Sequence, residues 1–207
     1  QPTPFASTEK FKAIASGWFH TCAIAQSGQV FCWGSGALGA GPDLQTSQIP
    51  VPVVSTERFS AISSGLESTC SINTAGQPLC WGYNYGGMLG SSESLLTEPT
   101  PVALPTGVTM KTITLGSYHS CALDTTGSAW CWGSGGLGNG AATSQVPVQV
   151  LGGLTYSSLA AGGGFTCGVS GNGAWCWGEN GAGQLGNGST ANSPIPVRVA
   201  GQDQFVD

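Results

Sequence analysis

The sequence predicts an all-β repeat protein with four units, each about the size of a four-stranded propeller blade. Three observations predict this class: a recurring cysteine motif, strand-like alternation inside each unit, and proline-flanked valines that close each unit. The motif is a small residue, then Cys and, nine or ten residues later, Cys-Trp-Gly. Its first cysteines are 48, 51 and 46 residues apart along the series Cys22, Cys70, Cys121 and Cys167.

Units of this size cannot bury a hydrophobic face alone, so they must stack on their neighbours. We therefore treat residues 1–207 as one repeat domain. The approximate units are 5–53, 54–102, 103–148 and 149–197, with 198–207 starting a further strand.

Each unit opens with a segment in which apolar and polar residues alternate, as they do in a half-buried strand. These segments are 11–15, 58–62, 110–114 and 156–160. A second strand carries the first cysteine, and a third ends at Cys-Trp-Gly. In the fourth unit, Asn172-Gly173 between these strands is a strong signal for a tight turn. The closing segments, in which prolines flank a valine, suit an outermost strand. Proline has no backbone N–H, and on an edge strand no hydrogen bond of the sheet is lost for that reason. No segment of ten or more residues keeps a helical period, so we expect almost no helix.

Composition excludes several function classes. Charged residues are only 7% of the chain, against roughly 25% in an ordinary globular protein. The net charge is −5 and the five basic residues are scattered, so no basic stripe is present to bind nucleic acid or an anionic membrane surface. No apolar run is long enough for membrane insertion as a helix.

The eight cysteines all fall in the four motif pairs, which favours disulfides and a secreted, extracellular protein. If Cys22 faces Cys32 in a hairpin, Ile24 faces Val30, and directly opposite residues are close enough for a disulfide. We therefore expect one disulfide within each unit: Cys22–Cys32, Cys70–Cys80, Cys121–Cys131 and Cys167–Cys176. Cysteine ligands of structural zinc sites are about two to four residues apart in the chain, whereas the cysteines of each pair here are nine or ten apart. We therefore expect no metal, and we expect no cofactor.

Tryptophan and histidine supply the remaining candidate residues. We expect the Trp of each Cys-Trp-Gly to pack between units. The extra tryptophans, Trp18, Trp130 and Trp175, are candidates for ligand or partner contact, with packing in the core as the favoured alternative. His20 and His119 recur at one repeat position, which indicates a structural hydrogen bond. Asn187 lies in a glycosylation sequon within a Gly-rich loop and is a candidate glycan acceptor.

These residues resemble the repeat family named after the regulator of chromosome condensation (RCC1-like repeats), whose units read Gly-x-x-His-Ser/Thr, then Trp-Gly, then Gly-Gln-Leu-Gly. The copy most similar to that pattern is 176–188, and His20 and His119 occupy the family's histidine position. The resemblance implies a β-propeller with four-stranded blades. The paired cysteines depart from the nuclear members and resemble disulfide-stapled variants such as crinkly-type receptor kinase ectodomains. The exchange-factor activity of the nuclear member is not carried over, because its binding loops cannot be matched here.

Nothing in the chain predicts an enzyme. No nucleophile elbow, carboxylate pair or phosphate loop followed by lysine is present, so we expect no catalytic residues. We expect a secreted structural or protein-interaction module. Residues 2–5 look like the end of a preceding unit and 204–206 like the start of a following one. Self-association through these in-phase termini would give a ring completed by a second chain or a head-to-tail fibre, and a piece of a longer repeat protein is the third possibility.

The alternative function is a carbohydrate-binding or inhibitory ligand-binding propeller that uses its loop face. Aromatic side chains clustered on one exposed face would favour binding of a ligand or partner. Aromatic side chains buried between blades would favour assembly.

Overall fold

The computed structural model describes residues 9–171 and 173–201. Its strands are β1 Phe11–Ser16, β2 His20–Ala25, β3 Val30–Ser35, β4 Thr46–Pro52, β5 Phe59–Ser64, β6 Ser68–Asn73, β7 Pro78–Tyr83, β8 Leu95–Pro101, β9 Met110–Leu115, β10 His119–Asp124, β11 Ala129–Ser134, β12 Thr143–Gln149, β13 Ser158–Ala161, β14 Phe165–Ser170, β15 Gly173–Gly178 and β16 Ser193–Arg198. A 3₁₀ turn, Tyr85–Gly87, is the only helical segment among the described residues. None of the helices in this part of the chain has the length and hydrophobicity to span a membrane.

The strands form four antiparallel sheets, each with its strands in sequential order. We call them blades 1 (β1–β4), 2 (β5–β8), 3 (β9–β12) and 4 (β13–β16). The first strands of successive blades contact one another, and the last strands lie at the outer edge. The predicted class, four four-stranded blades in an all-β repeat, is confirmed.

The four predicted disulfides are present, each between directly paired residues of the second and third strands. Ile24 faces Val30, as the hairpin register predicts. Two of the disulfides lie against the next blade: Cys22 Sγ is 3.6 Å from Thr69 Oγ1 of blade 2, and Cys121 Sγ is 3.5 Å from Thr166 Oγ1 of blade 4. The short sequence separation of the paired cysteines explains why the sequence was sufficient to predict them.

Three of the four tryptophans of Cys-Trp-Gly pack between blades, as predicted. Trp81, Trp132 and Trp177 are fully buried, and Trp81 lies against Gly39 of the preceding blade. Trp33 is only half-buried, because it lies on the face of blade 1 that points away from blade 2, where it contacts Phe11.

Blade boundaries differ slightly from the predicted units. β12 and β16 each continue one residue further, to Gln149 and Arg198, so Arg198 closes blade 4 and does not begin another strand. In blade 4 the first strand begins at Ser158. The backbone N–H of Tyr156 instead donates to Gly127 O of the blade 3 hairpin turn at 2.8 Å. Asn172 and both terminal segments that suggested self-association lie outside the described residues.

Candidate functional site

The loops between the first and second strands of each blade, residues 17–19, 65–67, 116–118 and 162–164, lie at one end of the blades. We call this end the loop surface; it also carries the connections between the third and fourth strands. Each of the four short loops is closed by a backbone hydrogen bond of 2.8–2.9 Å across four residues, as between Gly17 N–H and His20 O. In blades 1 to 3 this closure leaves the last two residues of each loop facing outward, at 18–19, 66–67 and 117–118.

In blades 1, 3 and 4 the glycine that begins the loop leaves room for the side chain of the residue that follows the loop. A Cβ added at Gly116 would lie 2.5 Å from Cε1 of His119, so only glycine fits beneath the imidazole ring. At Gly65 a Cβ would meet the backbone oxygen of Gly116, in the next blade, at 2.7 Å. The Gly-x-x-His pattern is therefore a structural clamp that sets the position of the exposed middle residues.

The two histidines join neighbouring blades. His20 Nε2 is hydrogen-bonded to Thr69 Oγ1, and His119 Nε2 to Thr166 Oγ1, each at 2.7 Å. Burial lowers the pKa of His119 to about 4. Burial also lowers the pKa of His20, although the nearby Glu67 carboxylate opposes that shift. Both rings are thus neutral at pH 7 and buried, and each makes the structural hydrogen bond that its repeat position predicted.

Four aromatic side chains are exposed on the loop surface, where the middle loop residues of blades 1 to 3 meet. Trp18 is 73% exposed, Phe19 60%, Tyr118 50% and Tyr85 38%. With Leu66 and Glu67 they line a cleft of about 270 Å³, which we call the aromatic cleft. Contiguous exposed apolar groups of this kind mark binding surfaces on soluble proteins.

Polar contacts order the cleft. The Tyr85 hydroxyl donates a hydrogen bond to Glu67 Oε2 at 2.5 Å, and this bond, followed by burial, raises the pKa of Tyr85 to about 12. Tyr85 also stacks on Tyr83, with ring centroids 5.9 Å apart and planes 13° from parallel. The backbone N–H of Trp18 donates to the backbone oxygen of Leu66 in blade 2 at 3.1 Å, which connects the cleft wall of blade 1 to that of blade 2.

Basic side chains are confined to one end of the blades. Among the described residues, the connections of the loop surface carry carboxylates and no lysine or arginine; these acids are Asp43, Glu67, Glu93 and Glu179. All five basic residues lie toward the opposite end, where the hairpin turns are: Lys10, Lys12, Arg58, Lys111 and Arg198. The aromatic cleft therefore lies at an acidic end of the molecule.

The structure does not bring the three candidate tryptophans together. Trp18 lies in the aromatic cleft. Trp130 is near the opposite end, where its Nε1–H donates to Asp124 Oδ2 at 2.9 Å. Trp175 is half-buried against the core and lines a separate cleft of about 300 Å³ with Leu151 and Leu154.

Sequence reasoning missed Phe19, Glu67, Tyr85 and Tyr118. Three of them could have been found from the repeat, because each directly precedes the position that histidine occupies in the Gly-x-x-His pattern: Phe19, Glu67 and Tyr118. Tyr85 had no such signal, since it lies in the 3₁₀ turn after β7. The candidate acceptor Asn187 is half-buried, and its Oδ1 accepts a hydrogen bond from the N–H of Ser189 at 3.1 Å. No group of His, Cys, Asp or Glu side chains among the described residues is arranged to hold a metal ion.

Comparison with known proteins identifies the repeats. Two models described as "Regulator of chromosome condensation (RCC1) repeat" match the chain, one at residues 11–40 and 110–139, the other at 75–123 and 172–207. Together the matches cover more than half of the chain. The Arabidopsis thaliana mitochondrial protein RUG3, an RCC1 domain-containing protein, is 33% identical over an alignment of 159 residues, and the match covers 68% of this chain and 35% of that protein.

Solved structures share the blade arrangement. Yeast RCC1 (Prp20), solved bound to Kap60, has a TM-score of 0.84 at 23% identity; the match covers 96% of this chain and 50% of that one. The ectodomain of the Physcomitrella patens receptor kinase CR4 has a TM-score of 0.59 at 26% identity, over 84% of this chain and 43% of that one. The chain thus spans half or less of the length of these relatives.

The compartment is indicated by two observations. The four disulfides and the likeness to the receptor kinase ectodomain both point to an extracellular setting, while RUG3 is mitochondrial. Four blades in repeat order, the histidine clamps of blades 1 and 3 and the matched repeat models agree, and the chain belongs to the regulator of chromosome condensation (RCC1) repeat family.

Proposed function

We propose that this chain is a non-enzymatic, secreted protein-interaction module that binds a protein partner through the aromatic cleft of its loop surface. The exposure of Trp18, Phe19 and Tyr118 at one end of the blades carries this proposal. Aromatic side chains supply much of the binding energy in protein interfaces, and these are held by clamped loops. A cleft that is already ordered loses less entropy when it binds.

The comparisons support a role in protein binding and outside the cell. Yeast RCC1 (Prp20) was solved in complex with another protein, Kap60. Disulfides persist in oxidising compartments, which favours secretion of a chain with four of them. The proposal that the module is not an enzyme is supported by the use of both histidines in buried hydrogen bonds between blades.

We also infer that the outer face of blade 1 packs against a further blade, supplied by the same polypeptide or by a second chain. Cys22 faces blade 2, and side chains alternate along a strand, so Ile14 faces away from blade 2. Ile14 is 67% exposed, whereas its equivalents Ile62 and Ile113 are half-buried against the core between blades. A ring completed by packing on this face is our first expectation, and a head-to-tail fibre is the second.

The mass of the native, non-reduced particle tests assembly, by light scattering over a range of concentrations. A monomer whose mass stays constant with concentration would contradict self-association. If dimers or larger species form, Ile14→Ser should dissociate them, and Ile49→Ser, which changes another exposed isoleucine on the outer strand β4, should not.

Partner binding is tested by crosslinking the full chain to proteins of its native extracellular fluid and identifying them by mass spectrometry. The double variant Trp18→Ala/Phe19→Ala should lose the captured partner, because it removes the two most exposed aromatic side chains of the aromatic cleft. The matched control is Leu151→Ala, which removes a 51% exposed apolar side chain at the opposite end. Equal capture of the partner by the wild type, the double variant and Leu151→Ala would contradict the proposed function.

Carbohydrate binding is the second candidate, favoured by the exposed flat ring of Trp18. A glycan array probed with the wild-type chain distinguishes it from protein binding. A single glycan class bound by the wild type and lost in Trp18→Ala would favour this candidate over the protein partner.

A further inference from the structure

The aromatic cleft contains a carboxylate as well as aromatic rings. Glu67 lies among Trp18, Phe19, Tyr85 and Tyr118. Its Oε2 accepts the Tyr85 hydroxyl at 2.5 Å, so its position is set by a neighbour within the cleft. The cleft is therefore ordered around a negative charge and is not purely apolar.

Two physical effects favour a positively charged occupant. The faces of Trp and Tyr rings attract cations, Trp most strongly, and a nearby carboxylate supplies the counter-charge. The surrounding electrostatic field is also negative, since every charged side chain in the described connections of this end is acidic. An anionic occupant would meet repulsion from Glu67, and an apolar one would shield the Glu67 carboxylate from water without supplying a counter-charge.

Arginine fits these features better than lysine does. Its guanidinium is planar, stacks on aromatic rings and donates in parallel to a carboxylate, whereas the lysine ammonium is a compact and strongly hydrated charge. The volume of about 270 Å³ fits one long side chain with its head group between the rings.

We propose that the aromatic cleft recognises an arginine side chain presented by the partner, stacked on Trp18 and paired with Glu67. This inference rests on the proposed function, because it states the chemistry of the partner that the cleft would bind. The partner segment is then basic and complements the acidic loop surface. Electrostatic attraction of this kind also accelerates association at low salt.

The test uses the full chain labelled with ¹⁵N and a small probe, N-acetyl-arginine methylamide. The indole N–H resonance of Trp18 is assigned by its absence in Trp18→Phe and followed as the probe is added. We expect a saturable shift with a dissociation constant on the order of 1–10 mM, as suits a single side chain without its protein. The neutral isostere N-acetyl-citrulline methylamide should bind at least about tenfold more weakly, because it lacks the charge.

Two variants locate the counter-charge. Glu67→Gln should weaken arginine binding by about three- to tenfold and leave citrulline binding unchanged. Glu93→Gln is the matched control, since it removes an exposed carboxylate from the same end but outside the cleft. Both variants should keep the thermal unfolding midpoint of the wild type. Equal shifts with arginine and citrulline, or no saturable shift up to about 50 mM arginine, would overturn the inference.

The outcomes separate this inference from the proposed function. If arginine fails to bind while Trp18→Ala/Phe19→Ala still loses the captured partner, the arginine inference is wrong and the protein-interaction function stands. If arginine binds through Glu67 but partner capture is unchanged in that double variant, the proposed function is wrong and the cation site stands.

Discussion

His119 of blade 3 and Thr166 of blade 4 share a buried hydrogen bond, with Nε2 and Oγ1 2.7 Å apart. The imidazole ring lies over Gly116, and Thr166 also lies 3.5 Å from Cys121 Sγ. One contact thus connects the loop clamp, the disulfide and the interface between two blades. His20 and Thr69 repeat the arrangement between blades 1 and 2.

Stability should fall as the pH is lowered from about 7 to 4. Burial lowers the pKa of folded His119 to about 4 from 6.5. A group whose folded pKa is lowered contributes stability that is present above the unfolded pKa and lost as pH falls toward the folded one. The full effect for His119 is about 3 kcal/mol. Urea unfolding at a series of pH values measures it, and His119→Gln should flatten the curve. An unchanged slope in that variant would contradict the assignment to His119.

The disulfide of blade 4 should be reduced first in the folded protein. Cys167 is half-buried, whereas both cysteines of each of the other three disulfides are 0% exposed. Reduction requires a thiolate to reach a sulfur atom, so access governs its rate. Partial reduction, alkylation and peptide mass mapping give the order. Reduction of Cys22–Cys32 at the same rate would show that burial by the next blade offers no protection.

The glycine of Cys-Trp-Gly should not tolerate a side chain. Gly133 has φ of +102°, and an added Cβ would lie 2.5 Å from Tyr118 O, in the loop that carries a cleft residue. We expect Gly133→Ala to cost more than about 2 kcal/mol of unfolding free energy, because strain and a backbone clash combine. The matched control is Gly140→Ala, where φ is +86° but a Cβ meets nothing within 4 Å. Equal losses in both variants would exclude the clash as a cause.

The hydroxyl of Tyr85 should titrate at unusually high pH until Glu67 is changed. Its hydrogen bond to the Glu67 carboxylate raises its pKa to about 12, because ionisation would break that bond and place two negative charges together. Ultraviolet titration of tyrosinate should show one group moving toward the ordinary value in Glu67→Gln. Tyr156, whose pKa burial raises to about 12, should be unaffected and serves as the internal control.

Asn187 should carry a glycan when the chain is secreted from a eukaryotic host, because the sequon is in a largely exposed loop. The measurement is the mass of the secreted protein before and after peptide N-glycosidase treatment. Asn187→Gln should remove the mass difference. A wild-type mass that enzyme treatment leaves unchanged would contradict the prediction.

Local features were predictable from the sequence. The disulfides, the hairpin registers and the outer proline strands depend on residues close together in the chain, and cysteines nine or ten residues apart face each other across a short turn. The spacing of Cys-Trp-Gly also predicted the number and size of the blades. The repetition of each pattern reinforced the prediction, because every unit packs against its neighbours through the same kind of interface.

The aromatic cleft was decided by the tertiary structure alone. Trp18, Glu67 and Tyr118 belong to three blades, and only the stacking of those blades brings their loops together. The threonine partners of the two histidines are likewise 49 and 47 residues away. The periodic sequence determined the blades because their hydrogen bonds and disulfides are local. The surface that those blades build depends on contacts between residues of different repeats, which no periodicity within one repeat encodes.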